Sequence, residues 1–154
     1  MGDRCWIRFK FHQRDLPKVQ KVFSIKPPEE ANDPTEDFDF EEVERGDNGI
    51  IYCTDSEANY GCYDEVQEMA NLGVAFCGRN DSGGSYGASA WCGVDGQFFE
   101  IGCDHDGHPV ILVDEDDNGK AIPEPGQIET AQAYFDALKR VQQQFEAAAQ
   151  EVTK

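Results

Sequence analysis

The sequence predicts an α+β fold: a mostly antiparallel sheet with a long C-terminal helix packed on it. Three observations carry this. Cys5 to Phe11 alternates, with Cys5, Ile7, Phe9 and Phe11 on one face and Trp6, Arg8 and Lys10 on the other, as a half-buried strand does. Between Tyr86 and Ile122, turn signals recur at regular spacing, which indicates consecutive antiparallel strands. From Gln127 to Gln150, Ile128, Ala131, Phe135, Leu138, Val141 and Phe145 recur at three and four residues and make one apolar helical stripe.

The elements follow in order. After the first strand, Asp15 caps a helix that carries Pro17 in its first turn and Leu16, Val19, Val22 and Phe23 at helical spacing. Lys26-Pro27-Pro28 ends it, because proline cannot continue the hydrogen-bond ladder. Glu29 to Glu36 is a polar connection, and an acidic strand runs from Phe38 to Arg45. Gly46-Asp47-Asn48-Gly49 is a hairpin turn, since Asn-Gly tolerates positive φ, and Ile50 to Cys53 returns. Asp55 to Gly61 reads as a loop. Asp64 heads a short helix through Asn71, with Val66, Met69, Ala70 and Leu72 as its apolar side and Gly73 as its C-terminal stop. Val74 to Cys77 is a short strand, and Gly78 to Gly84 a loop. A meander follows: strands at Tyr86 to Cys92, Gln97 to Gly102, His108 to Val113 and Lys120 to Ile122. Pro123-Glu124-Pro125-Gly126 breaks the sheet before the long helix. The β-α-β-β-α-β opening matches the split βαβ, ferredoxin-like arrangement, extended by the meander. The 154 residues form one domain, 1–154.

Charge is the second feature. The formal net charge is −18, with 39% hydrophobic residues and ten Phe, so the chain is a folded acidic protein and not an acidic tail. Such a charge disfavours nucleic acid and anionic membranes and favours basic partners. Residues 1–27 hold seven bases and two acids, while the rest holds six bases and twenty-nine acids. Either the basic first elements lie against acidic neighbours, or the surface is bipolar. Glu29 to Glu68 holds fifteen acids, with Arg45 as its single base. Its core, Glu36-Asp37-Phe38-Asp39-Phe40-Glu41-Glu42-Val43-Glu44, predicts a strand with a carboxylate-covered face. Asp37, Asp39 and Glu41 lie on one side, Glu42 and Glu44 on the adjoining one, and Asp47 at the turn.

No run of eighteen apolar residues exists, so no helical span is expected. Met1-Gly2-Asp3-Arg4-Cys5-Trp6 lacks the apolar core of a signal peptide, and Trp6 occupies the position where myristoylation wants Ser or Thr. The six cysteines include no C-x-x-C pair and read as reduced, mostly buried small hydrophobes of a cytoplasmic protein, with a disulfide framework of undecided pairing as the alternative.

Candidate chemistry is sparse. Asp114 to Gly119 opens like an EF-hand loop, but the twelfth position is Pro125, so a polar turn is expected. Cys103, His105 and His108 gather metal-ligand types without a second pair to complete a zinc site. Gly83-Gly84-Ser85-Tyr86-Gly87 lacks the strand–turn–helix setting of a nucleophile elbow. The Gly78 to Gly87 stretch lacks the Lys-Ser/Thr end of a phosphate loop.

The opening Met1-Gly2-Asp3-Arg4-Cys5-Trp6, the run Glu57-Ala58-Asn59-Tyr60-Gly61, and the Gly-rich loop followed by Tyr86-Gly87 resemble small acidic proteins of bacteriophages and plasmids, of the anti-restriction and anti-CRISPR type. The resemblance implies an inhibitor whose carboxylates occupy the nucleic-acid-binding surface of a host defence protein, and it transfers no defined binding residue. Alternate strand residues lie about 6 to 7 Å apart, a pitch that a phosphate-binding groove accepts. The expectation is therefore a non-enzymatic, cytoplasmic inhibitor without cofactor. It would bind a basic, nucleic-acid-binding host protein such as a CRISPR effector or nuclease through Asp37, Asp39, Glu41, Glu42, Glu44 and Asp47, and would not bind nucleic acid directly. Two alternatives stand beside it: a metal-binding module or metal-dependent enzyme using Cys103, His105 and His108, and a structural homodimer.

Overall fold

The computed structural model describes residues 3–25, 40–84 and 86–152. Strand β1 (Arg4–His12) leads through a short 3-10 turn into α1 (Leu16–Phe23). Next come β2 (Glu42–Arg45), β3 (Ile50–Asn59), α2 (Tyr63–Asn71), β4 (Phe76–Asn80), β5 (Ser89–Val94) and β6 (Gln97–Gly102). The chain continues with β7 (Val113–Glu115), β8 (Ala121–Pro123) and α3 (Gln127–Val152).

Strands one to six form one sheet in the order β2-β3-β1-β4-β5-β6, with every pair antiparallel. β3 is inserted between β1 and β2, and β1 between β3 and β4, so each helical crossover skips a strand. That is the expected split arrangement, and β5 and β6 extend it on the β4 side.

Two cores sit on opposite faces. On one, Ile7, Phe9, Phe11, Val43, Ile51, Cys53, Phe76 and Trp91 pack against α1 through Val19 and Phe23 and against α2 through Val66 and Met69. Phe9 centres this layer, its ring 5.5 Å from Phe23 and 5.3 Å from Phe40. On the other face Ala90, Cys92, Val94, Ile101 and Cys103 meet Tyr134, Ala137, Val141 and Phe145 of α3. Helix α3 thus covers the β5–β6 half of its face and reaches Cys77 of β4 and Ile50 of β3 along its edge, leaving the outer part of the β2-β3-β1-β4 half open.

Several expectations are corrected. α1 stops at Phe23, before the prolines. Ser24 takes a left-handed conformation (φ 51°), and its N–H donates to the Gln20 carbonyl at 3.0 Å. Asp15 makes no side-chain cap bond; its carboxylate pairs with Arg14 and Lys18 instead. β3 continues through Asn59, across the expected loop, because Ala58 packs into the core opposite Cys5. β4 continues through Asn80, where a glycine loop was expected. Gly78 is a strand residue because a Cβ there would stand 2.4 Å from that of Phe9.

β5 begins at Ser89, and the strand expected from His108 is absent: Pro109 makes only an isolated bridge with Cys103. Proline has no N–H to extend that ladder. β7 and β8 then pair as a separate ribbon. The buried face of α3 is also rotated from the expected stripe. Tyr134, Ala137, Val141, Phe145 and Ala148 are buried, while Ile128 and Phe135 are exposed.

Candidate binding face on the open side of the sheet

The acidic strand is the sheet's edge. Val43 enters the core, so the alternation of a strand turns Glu42 and Glu44 to the open face. Glu42 stands opposite Thr54 and Glu44 opposite Tyr52. Both carboxylates are exposed, as is Asp47 in the hairpin turn, where Asn48 and Gly49 take positive φ. Glu42 and Asp47 have no ion-pair partner among the described residues. Glu44 shares its charge with Arg8 at 3.2 Å. Glu41 accepts the Ser56 backbone N–H at 3.1 Å, and the Ser56 side-chain and backbone bonds hold its carboxyl below the usual range. Asp37 and Asp39 lie outside the described residues.

Inward from this edge the charge reverses. The register places Glu44, Tyr52, Lys10 and Cys77 in one row across β2, β3, β1 and β4. The next row is Glu42, Thr54, Arg8 and Arg79. Trp6 continues the β1 face. The Arg79 guanidinium lies 5.2 Å from the Trp6 ring centroid, and that of Arg8 lies 5.1 Å from Tyr52. Tyr134 and Leu138 of α3 wall this cleft on the far side. The N-terminal bases therefore do two things. Arg8 and Arg4 pair with Glu44 and Glu57, and Arg8, Lys10 and Arg79 also make a cationic, ring-lined floor.

The metal candidates separate. Cys103 is buried on the α3 side of the sheet, where burial pushes its thiol up. The side chains of His105 and His108 are largely solvent-exposed. Among the described residues, ligand atoms converge within 4.8 Å at Asp104, Asp106 and His108 instead. Asp104 closes that turn by accepting the N–H groups of His108 at 2.8 Å and Asp106 at 3.0 Å, and the His108 backbone bond holds its carboxyl low. In the Asp114–Gly119 stretch, Asp116 accepts the Asn118 and Lys120 N–H groups at 2.9 Å each, which is a polar turn. The Gly-rich stretch leads into β5 and not into a helix, so it lacks the helix amides that cradle phosphate.

No protein-family model, no curated protein and no solved structure matches the chain. The open face was half legible in the sequence. Trp6, Arg8 and Lys10 share a side by alternation alone. Tyr52 and Arg79 join them only through strand order, and no local pattern announces them.

Proposed function

We propose that the chain is a non-enzymatic binding protein of the inhibitor type. It meets a basic, nucleic-acid-binding protein through the acidic margin of its open sheet face and competes with nucleic acid there. One observation supports this most: Val43 is buried between Glu42 and Glu44, so the edge carboxylates are held outward by a strand anchored in the core. Glu42 and Asp47 keep their charge uncompensated among the described residues, in a chain of net charge −18. A fixed negative array steers a cationic partner and makes association salt-sensitive. An edge strand studded with charge also blocks edge-to-edge aggregation. The two roles differ in what charge removal does to partner binding.

The test is capture of a nucleic-acid-binding protein from host lysate, followed by competition. Duplex DNA should release the captured protein. The variant Glu42→Gln, Glu44→Gln, Asp47→Asn should lose most of the capture with its circular dichroism unchanged. Capture that survives both treatments would remove this reading.

A further inference from the structure

We propose that the cleft between Tyr52 and helix α3 is a nucleotide site, in which Arg8, Lys10 and Arg79 take the phosphate and the planar groups beside them take the base. The cleft encloses about 350 Å³, within the roughly 300–1,000 Å³ of small-molecule pockets.

The cations are placed in a way that structure alone does not require. Arg8 and Arg79 are direct partners across β1 and β4, and Lys10 follows Arg8 on the same face. Like charges directly opposite each other in a sheet are destabilising. In a chain with 31 acids and 13 bases, a carboxylate for each would be the simple remedy. Glu44 supplies one to Arg8. Among the described residues, neither Lys10 nor Arg79 has one.

Arg79 is positioned by other means. Its guanidinium lies beside Trp6, and its Nη1 donates to the His105 carbonyl at 3.4 Å. Gly107 makes room for it: a Cβ on that residue would stand 2.4 Å from Nη1. Arg8 lies against Tyr52, whose centroid is also 6.0 Å from the Lys10 Nζ. A guanidinium on a ring keeps its in-plane N–H donors for phosphate oxygens, and its outer face can stack on a base. Paired cations with planar groups suit a phosphorylated ring better than a bare anion.

The surroundings limit the ligand's size. Glu42 and Glu44 stand beyond β3 on one rim, and Asp104 and Asp106 sit in the turn that carries Gly107 on the other. At physiological salt charges are screened over about 8 Å, so the cations act within the cleft. A strand leaving it on either side meets carboxylates. The ligand is therefore a free nucleotide and not a single-stranded chain. This inference does not rest on the proposed inhibitor role: its phosphate and base contacts are residues outside the acidic margin, whose carboxylates enter only as a rim that limits the ligand's length.

The test is a titration of the ¹⁵N-labelled full chain with AMP, following its two indole N–H resonances. Trp6 lies at the cleft and Trp91 is buried in the other core, so AMP should move the Trp6 signal and leave Trp91 in place. Arg79→Gln and Lys10→Gln should each weaken AMP by about 10- to 100-fold, the cost of a charged hydrogen bond. An unmoved Trp91 signal would show that each variant is folded. Arg79→Lys keeps the charge without the plane and should fall between the wild type and Arg79→Gln. Adenosine and inorganic phosphate should each bind more weakly than AMP. The proposal is overturned if the Trp6 signal does not move, if phosphate alone binds as well as AMP, or if a short oligonucleotide binds more tightly than AMP.

Discussion

Nη2 of Arg8 lies 3.2 Å from Oε2 of Glu44, and this ion pair joins the cationic floor of the open face to its acidic edge across the intervening strand β3. Its side chains are 46% and 50% exposed, so water screens it. Exposed pairs contribute about 0–1 kcal/mol. Glu44→Gln should therefore lower unfolding stability in urea by less than about 1 kcal/mol. The same substitution separates the two functional readings, because it removes a carboxylate from the edge and frees a guanidinium in the cleft. Capture of a basic protein should weaken while AMP binding tightens. A change of the same sign in both assays would contradict one of the two assignments.

His12 makes stability depend on pH in a narrow window. It is 2% exposed, its Nδ1 accepts the Arg14 N–H at 3.2 Å, and its Nε2 is buried with no partner in hydrogen-bond geometry among the described residues. Burial first, and the Arg14 charge second, push its pKa below the ordinary 6.5. The sign follows. Above about pH 7 the ring is neutral in both states and contributes nothing. As pH falls through 6.5 the unfolded chain takes up a proton that the folded chain refuses, so stability drops. The drop levels off below the depressed folded value. Urea midpoints measured between about pH 5 and 8 should fall towards acid, and His12→Gln should flatten that part of the curve. Glu41 and Asp104, both held low, lose their stabilising effect only at more acid pH.

Asn80 and Trp91 make a buried polar contact. The indole Nε1–H donates to Oδ1 of Asn80 at 2.9 Å, with the two residues 1% and 7% exposed. Asn80→Ala leaves the donor buried without a partner and should cost about 1–3 kcal/mol in chemical denaturation. A loss within the error of measurement would mean that the indole finds another acceptor.

Legibility in the sequence tracked one-sided burial. β1 was readable because Ile7, Phe9 and Phe11 go to the core while Arg8 and Lys10 face the open side, and β6 was found to the residue for its turn signals. The far half of β3 was hidden because Asp55, Ser56 and Glu57 are polar, a register shift against β1 leaves Ser56 and Glu57 without an opposite residue, and from Asp55 to Asn59 Ala58 alone is buried. Gly78 imitated a loop because it lacks a side chain, but Phe9 and Trp91 occupy that space. At the acidic edge, alternation placed Glu42 and Glu44 on one face, but composition could not foresee that Glu44 would share its charge with Arg8. The cleft needed the sheet order, which brings Arg79 beside Arg8 and Tyr52 beside Lys10.

Helix α3 gives the sharpest check on that difference between pattern and packing. Periodicity put Phe135 and Phe145 on one stripe, yet Phe145 is 5% exposed and Phe135 is 47% exposed. The small residue Ala137 is buried instead, against Ala90, Cys92 and Ile101, which lets the helix approach β5 and β6 closely. Removing a buried phenylalanine costs its transfer energy plus a cavity, about 3–5 kcal/mol, so Phe145→Ala should unfold at clearly lower urea. Surface substitutions usually stay within about 0.5 kcal/mol, so Phe135→Ala and Ile128→Ala should be nearly silent. Equal losses at Phe135 and Phe145 would mean that the periodic stripe, and not the Tyr134–Ala137–Val141–Phe145 face, lies on the sheet. That would also take Tyr134 out of the wall of the cleft, so the stability series bears on the proposed ligand site as well as on the helix.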